Sequence, residues 1–97
     1  MTYKNTNKRD LNEKEIVTYW LSCGYSWFPA LPGQGYDGLL LGFQRLYFVE
    51  NKNPEYPWEL TKREAAVRDI VTKQGLNYVI VETLDDAIKL ADRMRYG

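Results

Sequence analysis

Apolar positions recur along the chain with two different periods, and the switches between them mark out the elements. Ile16, Val17, Trp20 and Leu21 fall at helical spacing. Asp10 or Asn12 supplies a cap for this first helix, and Cys23-Gly24 supplies its stop. Tyr25 to Leu31, aromatic and interrupted by Pro29, reads as an edge strand or an ordered loop. Its Trp27, Phe28 and Leu31 are expected in the core, with an apolar patch for self-association as the alternative. Pro32-Gly33-Gln34-Gly35 is a turn, and Tyr36 to Leu41 and Leu46 to Lys52 are two strand-like runs separated by Gly42-Phe43-Gln44-Arg45.

The second half repeats the switch. Asn53 to Pro57 is kept from helix by its prolines. Thr61-Lys62-Arg63-Glu64 matches a capping box, and the helix it opens is expected to bury Ala65, Val67, Ile70 and Val71 and to stop at Gly75. Tyr78 to Val81 is a short strand of β-formers. Thr83, Asp85 and Asp86 begin a last helix with Ala87, Ile88, Leu90, Ala91 and Met94 on its apolar face. The order is α-β-β-β-α-β-α. A strand, a helix and a second strand from Leu46 to Val81 have the length of a βαβ crossover, which pairs its strands in parallel. The expected architecture is α/β, a mixed sheet flanked by helices. One domain over residues 11–97 follows a flexible leader, residues 1–10, in which Lys4, Lys8 and Arg9 form a candidate basic arm.

Composition narrows the chemistry. The chain has no histidine and one cysteine, Cys23, so His-based triads, histidine metal ligands and zinc-site spacings are excluded. The absence of a long apolar run and a polar N-terminus predict a soluble cytoplasmic protein with no membrane association. Lys plus Arg and Asp plus Glu number 13 each, a formal net charge of zero that gives no support to nucleic-acid binding by itself. If three carboxylates are set aside for a metal site, the remainder is 13 − 10 = +3.

One constellation stands out. A hairpin closed at Phe43-Gln44, or by Gly42 to Arg45, pairs Leu41 with Leu46, Leu39 with Phe48, and Asp37 with Glu50, and a bulge would shift this register by one residue. Alternation puts Glu50 and Lys52 on one strand face. Two carboxylates brought within about 5 Å repel unless something positive lies between them. A hard divalent cation, Mg²⁺ or Mn²⁺, held by Asp37 and Glu50 answers that need without histidine or cysteine. Lys52 then positions the attacking water or steadies charge on phosphoryl oxygens. The plainer alternative is a solvated Glu50–Lys52 pair at a strand end with Asp37 in a loop. Pro32 to Gly35 lacks the lysine and helix start of a phosphate loop. Lys62, Arg63, Arg68 and Lys73 make the second helix basic, either as a solvated surface or as a phosphate-contacting face.

Gly35-Tyr36-Asp37, Leu39 to Leu41, Tyr47 to Lys52, Leu60-Thr61, Tyr78 to Val81 and Asp85-Asp86, taken in order, resemble the PD-(D/E)XK nucleases. The likeness runs from about Leu11 to Asp86 and is nearest to the small virus-type replication-repair nucleases (VRR-NUC) and Holliday-junction-resolvase-like endonucleases. The resemblance implies a restriction-endonuclease-like fold and Mg²⁺- or Mn²⁺-dependent phosphodiester hydrolysis on DNA. It also implies metal ligation by Asp37, Glu50 and the main-chain carbonyl of Asn51, and Lys52 as the catalytic lysine. Glu13 matches the glutamate these families often carry on the first helix; a first-turn acid favoured by the helix dipole is the alternative. The chain has Tyr36 where the family often has proline, and Glu64 where it commonly has glutamine, and the capping box accounts for Glu64 without catalysis. A homodimer is expected, since so small a domain needs a partner to cut both strands. The competing reading is a non-catalytic binding module on the same fold, such as a viral accessory or inhibitor protein.

Overall fold

The computed structural model describes residues 3–97, with side chains from Asn12 onward, so the side chains of the expected leader and its basic arm lie outside the described residues. The elements are α1 (Tyr3–Ser22), β1 (Ser26–Pro29), β2 (Gly38–Gly42), β3 (Arg45–Asn51), α2 (Lys62–Lys73), β4 (Asn77–Val81) and α3 (Leu84–Tyr96). The α1 backbone starts at Tyr3, ahead of the caps expected at Asp10 or Asn12. Asp and Asn lower helix propensity by only about 0.7 kcal/mol or less, so they do not compel a boundary.

The strands form one sheet in the order β1-β2-β3-β4. β1, β2 and β3 pair antiparallel, and β3 pairs β4 in parallel across the α2 crossover. The hairpin register is the expected one as far as Gly38 opposite Val49, with Leu41 opposite Leu46 and Leu39 opposite Phe48. The expected Asp37–Glu50 pair is not part of it, because the Asp37 N–H bonds the Val49 carbonyl and sets Asp37 and Gly38 against one partner residue. Its turn is the two-residue Phe43-Gln44, both at positive φ (52° and 63°), the backbone that matches the twist of the flanking strands. The Phe43 ring lies edge-on to Tyr25, with centroids 5.5 Å apart, and 5.1 Å from the Arg95 guanidinium.

One sheet face carries the main core. Leu40, Tyr47, Val49 and Val81 pack there with Ile16 and Trp20 of α1 and with Ala87, Leu90, Ala91 and Met94 of α3. The Trp20 indole N–H donates to the Ala87 carbonyl at 3.0 Å, and the Tyr25 hydroxyl donates to that of Ala91. Gly38 is required by Trp27 of the neighbouring strand, whose ring occupies the space a Cβ would take. By alternation, Leu46, Phe48, Glu50 and Lys52 point to the opposite face, where α2 lies. Both α2 and α3 begin with complete capping boxes, Thr61 with Glu64 and Thr83 with Asp86.

Several expected core positions are on the surface. Phe28 and Leu31 are exposed because β1 is an edge strand that ends at Pro29, and Leu21 and Ile70 lie on outward helix faces. α2 buries Val71, while Ala65 and Val67 are half-buried. Among the described residues no helix is long and apolar enough to cross a membrane.

Candidate active site

The site begins where the β2–β3 ladder ends. Asp37 immediately precedes β2, and its main chain continues the sheet: its N–H donates to the Val49 carbonyl at 2.8 Å, and its carbonyl accepts from Ala30 at 2.9 Å. Its side chain takes over one residue further on, where Oδ2 accepts the Asn51 N–H at 2.6 Å. The Lys52 N–H reaches Val81 of β4 at 3.1 Å. Within a strand one residue's N–H and C=O point the same way and successive residues alternate. The main-chain carbonyl of Asn51 is therefore turned toward Asp37.

Glu50 is 1% exposed, on the α2 face of β3. Burial, then the negative charge of Asp37, then a hydrogen bond and charge from Glu64, push its carboxyl up to about 8; the Lys52 ammonium pulls the other way without prevailing. Lys52 Nζ lies 3.4 Å from Glu50 Oε2 and 2.8 Å from Glu64 Oε1. The same Glu64 oxygen accepts the Thr61 N–H at 2.9 Å. Burial works to raise Glu64, but the bonds from Lys52 and Thr61 outweigh it and hold this carboxyl below its ordinary value. Two neighbouring glutamates are thus driven apart, Glu50 toward the protonated form and Glu64 toward the anion.

Glu13 faces the sheet through the opposite layer. Its Oε1 accepts from the Asn51 side-chain amide at 3.2 Å, on the face covered by α1 and α3. Glu13 and Glu50 therefore approach the sheet end from two sides, with Asp37 and Asn51 between them. All but Asn51 of these line one cleft of about 460 Å³, together with the Pro29–Gly33 loop, Gly35, Tyr36, Thr61, Arg63 and Glu64. Gly35 sits at φ +90°, and a Cβ there would come 2.6 Å from Val67 Cγ2. The Tyr78 hydroxyl donates to the Gly35 carbonyl at 2.8 Å and fixes this wall. Burial first, then the negative charge of Glu50 and its neighbours, raises the phenol, which stays a donor at neutral pH.

The structure thus brings Asp37, Glu50, Asn51 and Lys52 together at one strand end, and Glu13 to the same cleft. Glu64 and Tyr78 were not singled out by the sequence for this site. The signal for Glu64 was present, an acid at the family's glutamine position, but the capping box accounted for it fully.

Among the described residues no group of three or more Asp, Glu or Cys side chains is arranged to hold a metal ion. A cation bound here would have two carboxylates, Asp37 and Glu50, and the main-chain carbonyl of Asn51 as its protein oxygens. Their chemistry fits a hard divalent ion, which takes oxygen ligands. Burial first, and then the negative charge of Asp37 and Glu64, raises the Glu50 carboxyl, and only the second of these causes is one a cation would relieve. Comparison with family models, with curated proteins and with solved structures returned no match.

Proposed function

We propose that this chain is a Mg²⁺- or Mn²⁺-dependent DNA endonuclease with a restriction-endonuclease-like fold, related to the VRR-NUC and junction-resolving enzymes and acting as a homodimer. The observation that carries the reading is the cleft at the end of the β2–β3 hairpin, which Asp37 and Glu50 line and beside which Lys52 reaches Glu50 and Glu64. Asp37, Glu50 and the Asn51 carbonyl would hold the cation, with Glu13 approaching from the other sheet face. When bound, a divalent cation supplies Lewis acidity and makes a water nucleophilic at neutral pH. Glu50 must lose its proton on loading. Lys52, aimed by Glu64, presents its ammonium to the charge that builds on phosphoryl oxygens. Arg63 on the cleft wall offers a phosphate contact.

The zero net charge favours a second reading, a non-catalytic binding module built on this fold. Cleavage of linear, single-stranded, flapped and four-way-junction DNA in Mn²⁺ separates the two. The wild type is expected to cut, and Asp37→Ala and Lys52→Ala to lose at least about 100-fold in rate while keeping the wild-type circular dichroism. A folded wild type that cuts none of the substrates sinks the nuclease reading and leaves the binding module.

A further inference from the structure

The segment between β3 and α2 follows Lys52 and leaves two aromatic residues partly exposed. Tyr56 is 50% exposed and Trp58 38%. The segment is nonetheless stiffly built. The Asn53 side chain accepts the Glu55 N–H at 2.9 Å, the Asn53 carbonyl accepts that of Tyr56 at 3.3 Å, and Pro54 and Pro57 fix the backbone around them. The Trp58 indole N–H donates to Glu82 Oε2 at 2.9 Å, which ties the segment to the end of β4. Lys52 Nζ lies 5.9 Å from the indole centroid, and the same ammonium reaches Glu64 on the cleft wall. A pinned, partly open indole therefore stands one side chain away from the acidic cluster.

Charge divides the surroundings in a way that selects the occupant. Glu55, Glu59 and Glu82 beside the aromatics repel phosphate, whereas Lys62 and Arg63 occupy the first turn of α2, the positive end of that helix. A nucleic-acid strand satisfies both when its phosphates lie toward α2 and its bases turn toward the segment. Only unpaired bases can offer their faces there, because in a duplex those faces are stacked. Resting on the nuclease reading, we propose that Tyr56 and Trp58 form a stacking platform for unpaired bases, making a single-stranded or splayed strand the substrate.

The test is metal-free binding of a fluorescently labelled oligothymidine, compared with a labelled duplex of equal length and followed by anisotropy for every variant, with tryptophan fluorescence of the wild type as a second readout. Trp20 is fully buried and Trp27 packs on the core, so quenching by the oligonucleotide reports on Trp58. Trp58→Ala is expected to weaken single-strand binding about tenfold, Tyr56→Ala to weaken it less, and Trp58→Phe to restore it. Equal affinity of Trp58→Ala and wild type, or a duplex bound as tightly as the single strand, overturns the platform. So does concentration-dependent self-association that Trp58→Ala abolishes, which would assign the aromatics to a second copy. Unaltered thermal melting of the variants excludes a folding defect. Binding without any Mn²⁺-dependent cleavage overturns the nuclease reading and leaves the platform standing; cleavage with no single-strand preference does the reverse.

Discussion

A single oxygen, Glu64 Oε1, closes a helix cap and holds an ammonium, and the two duties can be pulled apart. Thr61→Ala removes the other half of the cap, the hydroxyl that accepts the Glu64 N–H, and leaves both bonds of Glu64 Oε1 in place. It is expected to cost about 1 kcal/mol of stability with little change in cleavage. Glu64→Ala also frees Lys52 and is expected to lower cleavage at least about tenfold beyond any stability loss, with Glu64→Gln in between. Equal rates for Thr61→Ala and Glu64→Ala would reduce Glu64 to a cap. Glu50 gives the protein a pH signature. Its carboxyl is raised from 4.5 to about 8, so across that interval the folded state holds a proton the unfolded chain has lost. Stability without divalent metal then falls as pH rises from about 4.5 to about 8, and Glu50→Gln flattens the curve. Glu64 is shifted the other way, so its contribution is lost only at acid pH. Urea denaturation at intervals across this range measures the slope; a flat wild-type profile contradicts the assignment. Asp37, Glu50 and Lys52 were legible because a hairpin register needs only local sequence. The Lys52–Glu64 contact was not, since it depends on how the crossover brings α2 back over the sheet.

At the level of elements, the hairpin turn carries a cost the sequence concealed. Phe43 and Gln44 hold left-handed φ values without being glycine or asparagine, a conformation that disfavours an ordinary residue by about 1–2 kcal/mol. The Phe43 contacts with Tyr25 and Arg95 offset part of this. Replacing Gln44 by glycine, which leaves those contacts intact, is expected to stabilise the protein by about 1 kcal/mol, seen as a raised midpoint in thermal unfolding. An unchanged or lowered midpoint would mean that Gln44 has compensating contacts. Element order, the Thr61 capping box, the α3 start at Thr83 and the α3 face were readable because cap chemistry and the 3.6-residue period act within a few residues. Phe28, Leu31 and Ile70 were misplaced because an apolar side chain reveals its own hydrophobicity and not which element will cover it. Among the described residues nothing covers the far side of β1, and α2 turns Ile70 outward.

For the molecule as a whole, the balance of 13 basic and 13 acidic residues limits how electrostatic any DNA binding can be. With Lys62 and Arg63 as the main phosphate contacts, log affinity for a single strand is expected to fall against log salt with a slope of about −1 to −2. A slope steeper than about −4 would point to a larger basic footprint than the described side chains supply. The mixed sheet also has a kinetic consequence. The β2–β3 hairpin joins neighbours in sequence, whereas the parallel β3–β4 pair must wait until the α2 segment has looped over, and such non-local closure is the slow step in folding. Asp37 and Glu50 belong to the hairpin, while Glu64 arrives with the crossover. During folding the two acidic residues of the hairpin come together before Glu64 arrives to hold Lys52, so the candidate cleft is completed only when the crossover closes.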